Sequence, residues 1–204
     1  MPRTSIDRFE QRKQTRAKLV DAALQLFSTS GYEHATVDDI SQAAGYSKGA
    51  YYFHFSTKDD ILLELLRMWT EDRTRALAAS GDGLREAFSA FFSYRDEPRW
   101  PAVLLEFWAQ ATRNAEVGKR LSQAYASWRR ALCERIETAA ADGLRAESAD
   151  DVAALVLAAH DGHAVQVAIG SPGGKAMTPE ALADSLVAPL EAPVEDQARR
   201  TGTF

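Results

Sequence analysis

The amino-acid sequence predicts an all-α protein: a small three-helix domain containing a helix-turn-helix, joined by a long helix to a larger helical bundle. Three observations lead there. Apolar residues recur at three- and four-residue spacing along most of the 204 residues. No segment alternates polar and apolar residues as a half-buried strand would. The stretches that interrupt the helical pattern, "SGDG", "RDEP", "DGLRAES" and "GSPGGKAMT", are rich in turn formers. With 46% hydrophobic and 26% charged residues, a chain of this length buries a core without disulfide staples.

In "RAKLVDAALQLFSTSG", Leu19, Ala22, Ala23, Leu26 and Phe27 follow the i, i+3, i+4 rule, so this segment reads as an amphipathic helix ending near Gly31. Thr36 offers a side-chain oxygen to the next helix, and Asp39 completes a capping-box pattern with Asp in place of Glu. Val37, Ile40 and Ala44 form one apolar face, and Gly45 closes this short helix. Ser47 caps another, reaching about Phe53, and Thr57 begins a much longer one with Ile61, Leu62, Leu65 and Trp69 on its buried side. Further helices are expected over about 84–94, 98–113, 115–142, 150–169 and 179–190. The expected division is an N-terminal arm and helix-turn-helix over 1–56, a bundle over 57–190 and a frayed tail over 191–204.

The net charge of −5 argues against a general polyanion binder. The first twenty residues, however, carry Arg3, Arg8, Arg12, Lys13, Arg16 and Lys18 against Asp7 and Glu10. A local positive excess matters more to a phosphate backbone than the whole-chain sum; the plain alternative is a solvated basic arm. Cys133 is the single cysteine, which excludes an internal disulfide and suits a reducing cytosol. Met1 precedes charged residues instead of an apolar signal core, and no apolar run is expected to reach membrane-spanning length. A cytoplasmic protein without a membrane partner is expected.

Two short helices separated by Ala44, Gly45 and Tyr46 match a helix-turn-helix, whose second helix enters the DNA major groove. Gly45 suits a turn needing positive φ. Ser47 would start the second helix with free N–H groups facing phosphates. Lys48 is its only cation, Gly49 and Ala50 are small enough for close approach to base edges, and Tyr52 and His54 have polar tips for phosphate oxygens. Tyr51 is either buried between helices or turned toward thymine methyls, and Phe53 has no assigned role. Lys58 lies in the first turn of the next helix, where a cation opposes the dipole, a conflict that points to an anion contact.

The stretch "LVDAALQLFSTSGYEHATVDDISQAAGYSKGAYYFHFSTKDDIL" resembles the DNA-binding domain of the TetR family of bacterial transcriptional regulators, over about a quarter of the chain. The resemblance rests on the helix ending in Phe27, the Gly31–Tyr32 turn, Thr36–Val37, Ala44–Gly45 and the closing "YYFHF-STKDDIL". Tyr46, Ala50 and Tyr51 depart from the usual Val or Ile, Thr or Ser, and Leu or Ile. The resemblance implies DNA contacts by Arg16, Thr36, Ser47, Lys48, Gly49, Ala50, Tyr52, His54 and Lys58 on a palindromic double-stranded operator. With one long donor on the reading helix, much of the affinity is expected from phosphates and so to be salt-dependent.

The resemblance also implies that the bundle encloses a small-molecule effector and pairs two chains as a homodimer. "LLEFWAQATRN" and "AAHDGHAVQVA" are loosely similar to the subgroup containing the choline-responsive regulator of betaine synthesis. Effector candidates are Phe88, Phe92, Trp100, Phe107, Trp108, Tyr125, Trp128, His160, His163 and Gln166, each with plain core packing as the alternative. The helix over 150–169 is apolar nearly all round, which means burial on two faces. Ala153, Leu157, Ala164 and Ala168, with Leu182, Leu186 and Leu190 of the last helix, are assigned to the dimer interface. His160 and His163 lack enough convergent partners for a metal, and Cys133 reads as a small buried residue. No activated nucleophile pair or phosphate-binding glycine loop is present, so no catalytic residue and no cofactor is assigned. The expected function is a repressor released by its effector; the alternative is an effector-independent regulator or architectural protein whose bundle only dimerises.

Overall fold

The computed structural model describes residues 5–81, 83–94, 97–141, 148–170 and 176–191. Among these, regular structure is helical throughout: α1 (Ser5–Ser30), α2 (Val37–Ala43), α3 (Lys48–His54), α4 (Lys58–Ala79), α5 (Leu84–Phe92), α6 (Trp100–Ala111), α7 (Ala115–Ala141), α8 (Ala149–Ile169) and α9 (Pro179–Glu191). Helix α1 starts well before the expected Arg16, because the preceding Glu, Gln, Arg and Lys residues are good helix formers even without an apolar stripe. Helix α6 starts at Trp100, with Pro101 in its first turn, where a missing N–H costs nothing. The tail expected beyond Glu191 lies outside the described residues.

Packing divides the chain into two compact units: Met1–Glu71 with Tyr94–Leu121, and Asp72–Ser93 with Ser122–Phe204. Helices α4 and α7 therefore each contribute residues to both. In the first unit, α1 packs on α2, α3 and α6, around Leu19, Ala23, Phe27, Ile40, Tyr51, Ile61, Leu65, Trp69 and Phe107. Polar bonds tie α6 and the start of α7 to the helix-turn-helix. The Arg99 guanidinium reaches Asp21 at 2.7 Å, the Gln110 amide donates to Glu33 at 2.8 Å, and the Asn114 amide donates to Asp59 at 2.8 Å. Tyr32 also donates to Asp59.

Within this unit the Glu64 carboxylate is buried and held by two arginines, Arg16 at 2.5 Å and Arg67 at 2.7 Å. Their hydrogen bonds lower its pKa to about 2, against an ordinary 4.5. A depressed folded-state pKa stabilises above about pH 4.5, and that stability is lost as pH falls toward 2. The arginines are half-exposed, so the contribution is expected to be on the order of 2 kcal/mol. Urea unfolding at pH 6 and pH 3 checks it: Glu64→Gln should flatten the acid dependence, and an equally steep loss in that variant would contradict the assignment.

In the second unit, α5 packs against α8 and α9. Buried Arg73 donates to the carbonyls of Phe91 and Ser93 at the open end of α5, at 2.9 and 2.5 Å. On α8 the buried residues include Ala153, Val156, Leu157, His160, His163 and Ala164. This reverses the expected phase. Ala153, Leu157 and Ala164 are core residues of their own chain and have no surface for a partner, whereas Leu155, Ala158, Gly162, Gln166 and Ile169 are exposed. The periodicity was ambiguous because both faces are apolar; His160 and His163 turn inward and set the phase. Ala168 is half-buried, as are Leu182, Leu186 and Leu190 on α9, where Ala183 and Val187 are the buried pair. Contrary to expectation, α8 is also long and apolar enough to cross a membrane by length and composition, although part of it is buried in this chain.

Candidate nucleic-acid interface

Two capped turns fix α3. Thr36 caps α2: its hydroxyl accepts from the Asp39 N–H at 3.1 Å, and the Asp39 carboxylate accepts from the Thr36 N–H at 2.9 Å. The Thr36 hydroxyl also donates to the Asp39 carboxylate at 2.6 Å, and this bond, followed by that from the Thr36 N–H, holds the Asp39 carboxyl below its usual range. At the other end of α2, Gly45 adopts φ 76°. Its N–H donates to the Gln42 carbonyl at 3.0 Å while the Tyr46 N–H donates to Ser41 at 2.9 Å, the paired bonds of a Schellman closure. Ser47 then caps α3, its Oγ accepting from the Ala50 N–H at 3.3 Å.

The far end of α3 is equally constrained. Tyr51 is fully buried, and its hydroxyl donates to the Thr57 carbonyl at 2.8 Å; of the two roles open to it, the core one holds. The Asp60 carboxylate accepts from the N–H groups of Ser56 and Thr57, and Thr57 Oγ1 accepts from the Asp60 N–H. A reciprocal cap thus starts α4 immediately after α3. What α3 leaves free is the side opposite Tyr51: Lys48, Gly49, Tyr52 and Phe53 are exposed, with Ala50 and His54 half-buried. Lys48 lies 3.0 Å from Asp38, a solvent-exposed pair worth little against a phosphate. Burial and, after it, the Arg16 and Arg12 guanidiniums lower the His54 pKa, which favours the neutral imidazole.

Two of the assigned DNA contacts have structural occupations. Lys58 does not face outward: Nζ donates to the carbonyls of Tyr32, Ala35 and Glu33 at 2.7, 3.0 and 3.3 Å and lies 4.2 Å from the Tyr32 ring centre. All three ammonium protons are directed at the α1–α2 turn, so a phosphate contact would compete with these bonds. The apparent conflict with the helix dipole came from treating α4 alone, when a neighbouring turn presents carbonyls to its first residue. Arg16 bonds Glu64 and lies over the Phe55 ring at 5.1 Å. Arg12 and Lys18, counted in the sequence only as part of the basic arm, prove to pair with aromatics: Arg12 lies 5.0 Å over Phe53 and Lys18 5.8 Å from Tyr46. A cation and an aromatic far apart in sequence give no local signal for such a pair.

The effector candidates fall into both units. Phe107, with Trp69 and Trp100 at 6.0 and 6.5 Å between ring centres, belongs to the first, as does half-buried Trp108. In the second, His160 lies against Phe91 and Phe92, and Trp128 against Phe91 and Tyr125. Phe88 is fully buried there too. Tyr125 donates to Asp161 at 2.6 Å, and His160 Nδ1 is 3.1 Å from the same carboxylate. Burial lowers the pKa of both His160 and His163. Gln166 is not with this cluster but on the exposed face of α8. No group of three metal-ligating side chains converges among the described residues. Cys133 is half-buried beside Asp150, and burial raises its thiol pKa.

The fold and the doubly capped α2–α3 pair define an all-α helix-turn-helix protein. Residues 19–65 match the description "Bacterial regulatory proteins, tetR family", and residues 80–191, more than half of the chain, match "BetI-type transcriptional repressor, C-terminal". The chain belongs to the TetR family of bacterial transcriptional regulators, which are not enzymes. It is 36% identical over 114 residues to the HTH-type transcriptional repressor Rv1474c of Mycobacterium tuberculosis, covering 56% of this chain and 58% of that one. It is 50% identical over 56 residues to the HTH-type regulator YwcC of Bacillus subtilis, 28% of this chain and 25% of that one. The chain thus spans between a quarter and three-fifths of these relatives' lengths. A Saccharomonospora viridis transcriptional regulator in complex with choline shares the fold at TM-score 0.70 and 23% identity, over 85% of this chain and 94% of that one.

Proposed function

We propose that the protein is a homodimeric repressor that binds a palindromic operator through α3 and is released by a small-molecule effector. The observation that carries the DNA-binding part is the single free face of α3, fixed at both ends by caps and flanked by the cations of α1. Thr36, Ser47, Lys48, Gly49, Ala50, Tyr52 and His54 contact DNA, with Arg16 contributing charge from its half-exposed position. Two chains joined by a two-fold axis bring two such helices to successive half-sites. The exposed stripe Leu155, Ala158, Gly162 and Ile169 on α8, with half-buried Leu182, Leu186 and Leu190, supports dimerisation there.

Effector release works by population shift: the effector must prefer the conformation with the wrong spacing of reading helices, because equal affinity for both shifts nothing. Asp161 accepts from Tyr125, whose ring meets Trp128 and, through it, Phe91, so a carboxylate adjoins an aromatic cluster, a setting that favours an organic cation. Choline, bound by the S. viridis neighbour, is the first compound to test. A bundle that only dimerises is the second reading, favoured by the complete burial of Phe88, Phe91, Phe92 and Phe107. Titrating the protein on genomic DNA fragments that it captures, with and without choline and related cations, separates the two. Release by at least tenfold supports the first reading; affinity unmoved by any of them supports the second.

A further inference from the structure

Phe53 is 62% exposed on α3, beside exposed Tyr52 and between buried Tyr51 and Phe55. A lone exposed phenylalanine is ordinary; the position of this one is not. At 100° per residue, Gly49 and Phe53 lie one turn apart on the side of α3 opposite Tyr51 and Phe55. Gly49 has no side chain to shield Phe53, so the ring stands at the middle of the free face. Two neighbours restrain it: the Arg12 guanidinium lies 5.0 Å over the ring centre, and the His54 ring meets it edge-on at 5.1 Å. Hydrogen-bond readout from α3 is sparse, since Lys48 is its one long donor and is already paired with Asp38.

An apolar ring at the centre of a groove-reading face, backed by a guanidinium, matches one feature of base edges: the 5-methyl group of thymine in the major groove. We infer that Phe53 is a specificity-determining residue that reads thymine methyls, with Arg12 as the positioning residue that holds its ring. This rests on the DNA-binding reading above.

The test uses duplexes that the full-length protein enriches from a random pool, with each thymine replaced in turn by deoxyuridine, which lacks only the methyl. At one or two positions per half-site the wild-type protein should bind the deoxyuridine duplex about fourfold more weakly, as expected for one buried methyl group. Phe53→Ala, which should melt like the wild type, should bind both duplexes equally. Arg12→Gln should also shrink the ratio, a readout that loss of a phosphate contact alone would leave unchanged. Wild-type indifference to the methyl, or discrimination that survives in Phe53→Ala, overturns the inference alone. Failure to enrich any duplex overturns it together with the DNA-binding reading.

Discussion

Replacing Lys58 with alanine is expected to lower the stability of the helix-turn-helix by about 2–4 kcal/mol, because it strips a charged donor from three carbonyls at once. Tyr32 and Ala35 are buried, so water replaces the lost donor poorly. The turn from Gly31 to Thr36 sets where α2 begins, and α2 in turn sets α3, so DNA affinity should fall with stability. The salt dependence separates this account from a phosphate contact. A lysine on a phosphate contributes about one to the slope of log affinity against log salt. Lys58→Ala should leave that slope unchanged in the fraction that remains folded. A variant that melts normally but has a shallower slope would restore the phosphate role.

The second large effect belongs to α8. Leu155→Glu with Ala158→Glu places two carboxylates on a face exposed in the single chain, so folding of the monomer should be preserved. Across a two-fold axis the same charges meet their own copies in an apolar interface, which is prohibitive without partners. Sedimentation should show a monomer, and affinity for a two-half-site duplex should fall by about a hundredfold or more as the second half-site ceases to be an intramolecular event. The reciprocal control is Ala153→Glu, on the expected face that proves to be core: it should unfold the second unit and not merely dissociate it. A dimer that survives the Leu155 and Ala158 changes would place the interface elsewhere.

How much was legible in the sequence depends on the range of the interaction. The α2–α3 pair and its Thr36, Gly45 and Ser47 caps were readable because a cap is a contact across three or four residues. The same locality carried the match of Phe27, Tyr32 and Ala44–Gly45 to a known family. Long-range polar contacts were not readable. Lys58 with the carbonyls near Tyr32, Arg16 with Glu64, and Asn114 with Asp59 join residues separated by 23 to 55 positions. Those contacts engage two residues assigned to DNA within the fold, and the Asn114 bond joins the start of α7 to the helix-turn-helix. The phase of α8 failed for a different reason. A helix apolar on every side has no periodic signal, and its core face was marked only by His160 and His163, residues usually read as surface or site.

The central claim, that two copies of α3 read a two-fold DNA site, is tested most directly by sequencing the duplexes that the purified full-length protein enriches from a random pool. The expected result is a palindrome whose half-site centres are about one helical turn of DNA apart, or a multiple of it, bound by two chains or a multiple of two. Changing Lys48 or Phe53 should alter the enriched bases, while Tyr52→Phe should weaken all sequences alike. An enriched site without two-fold symmetry, bound by a single chain, or no enrichment at all, would contradict it.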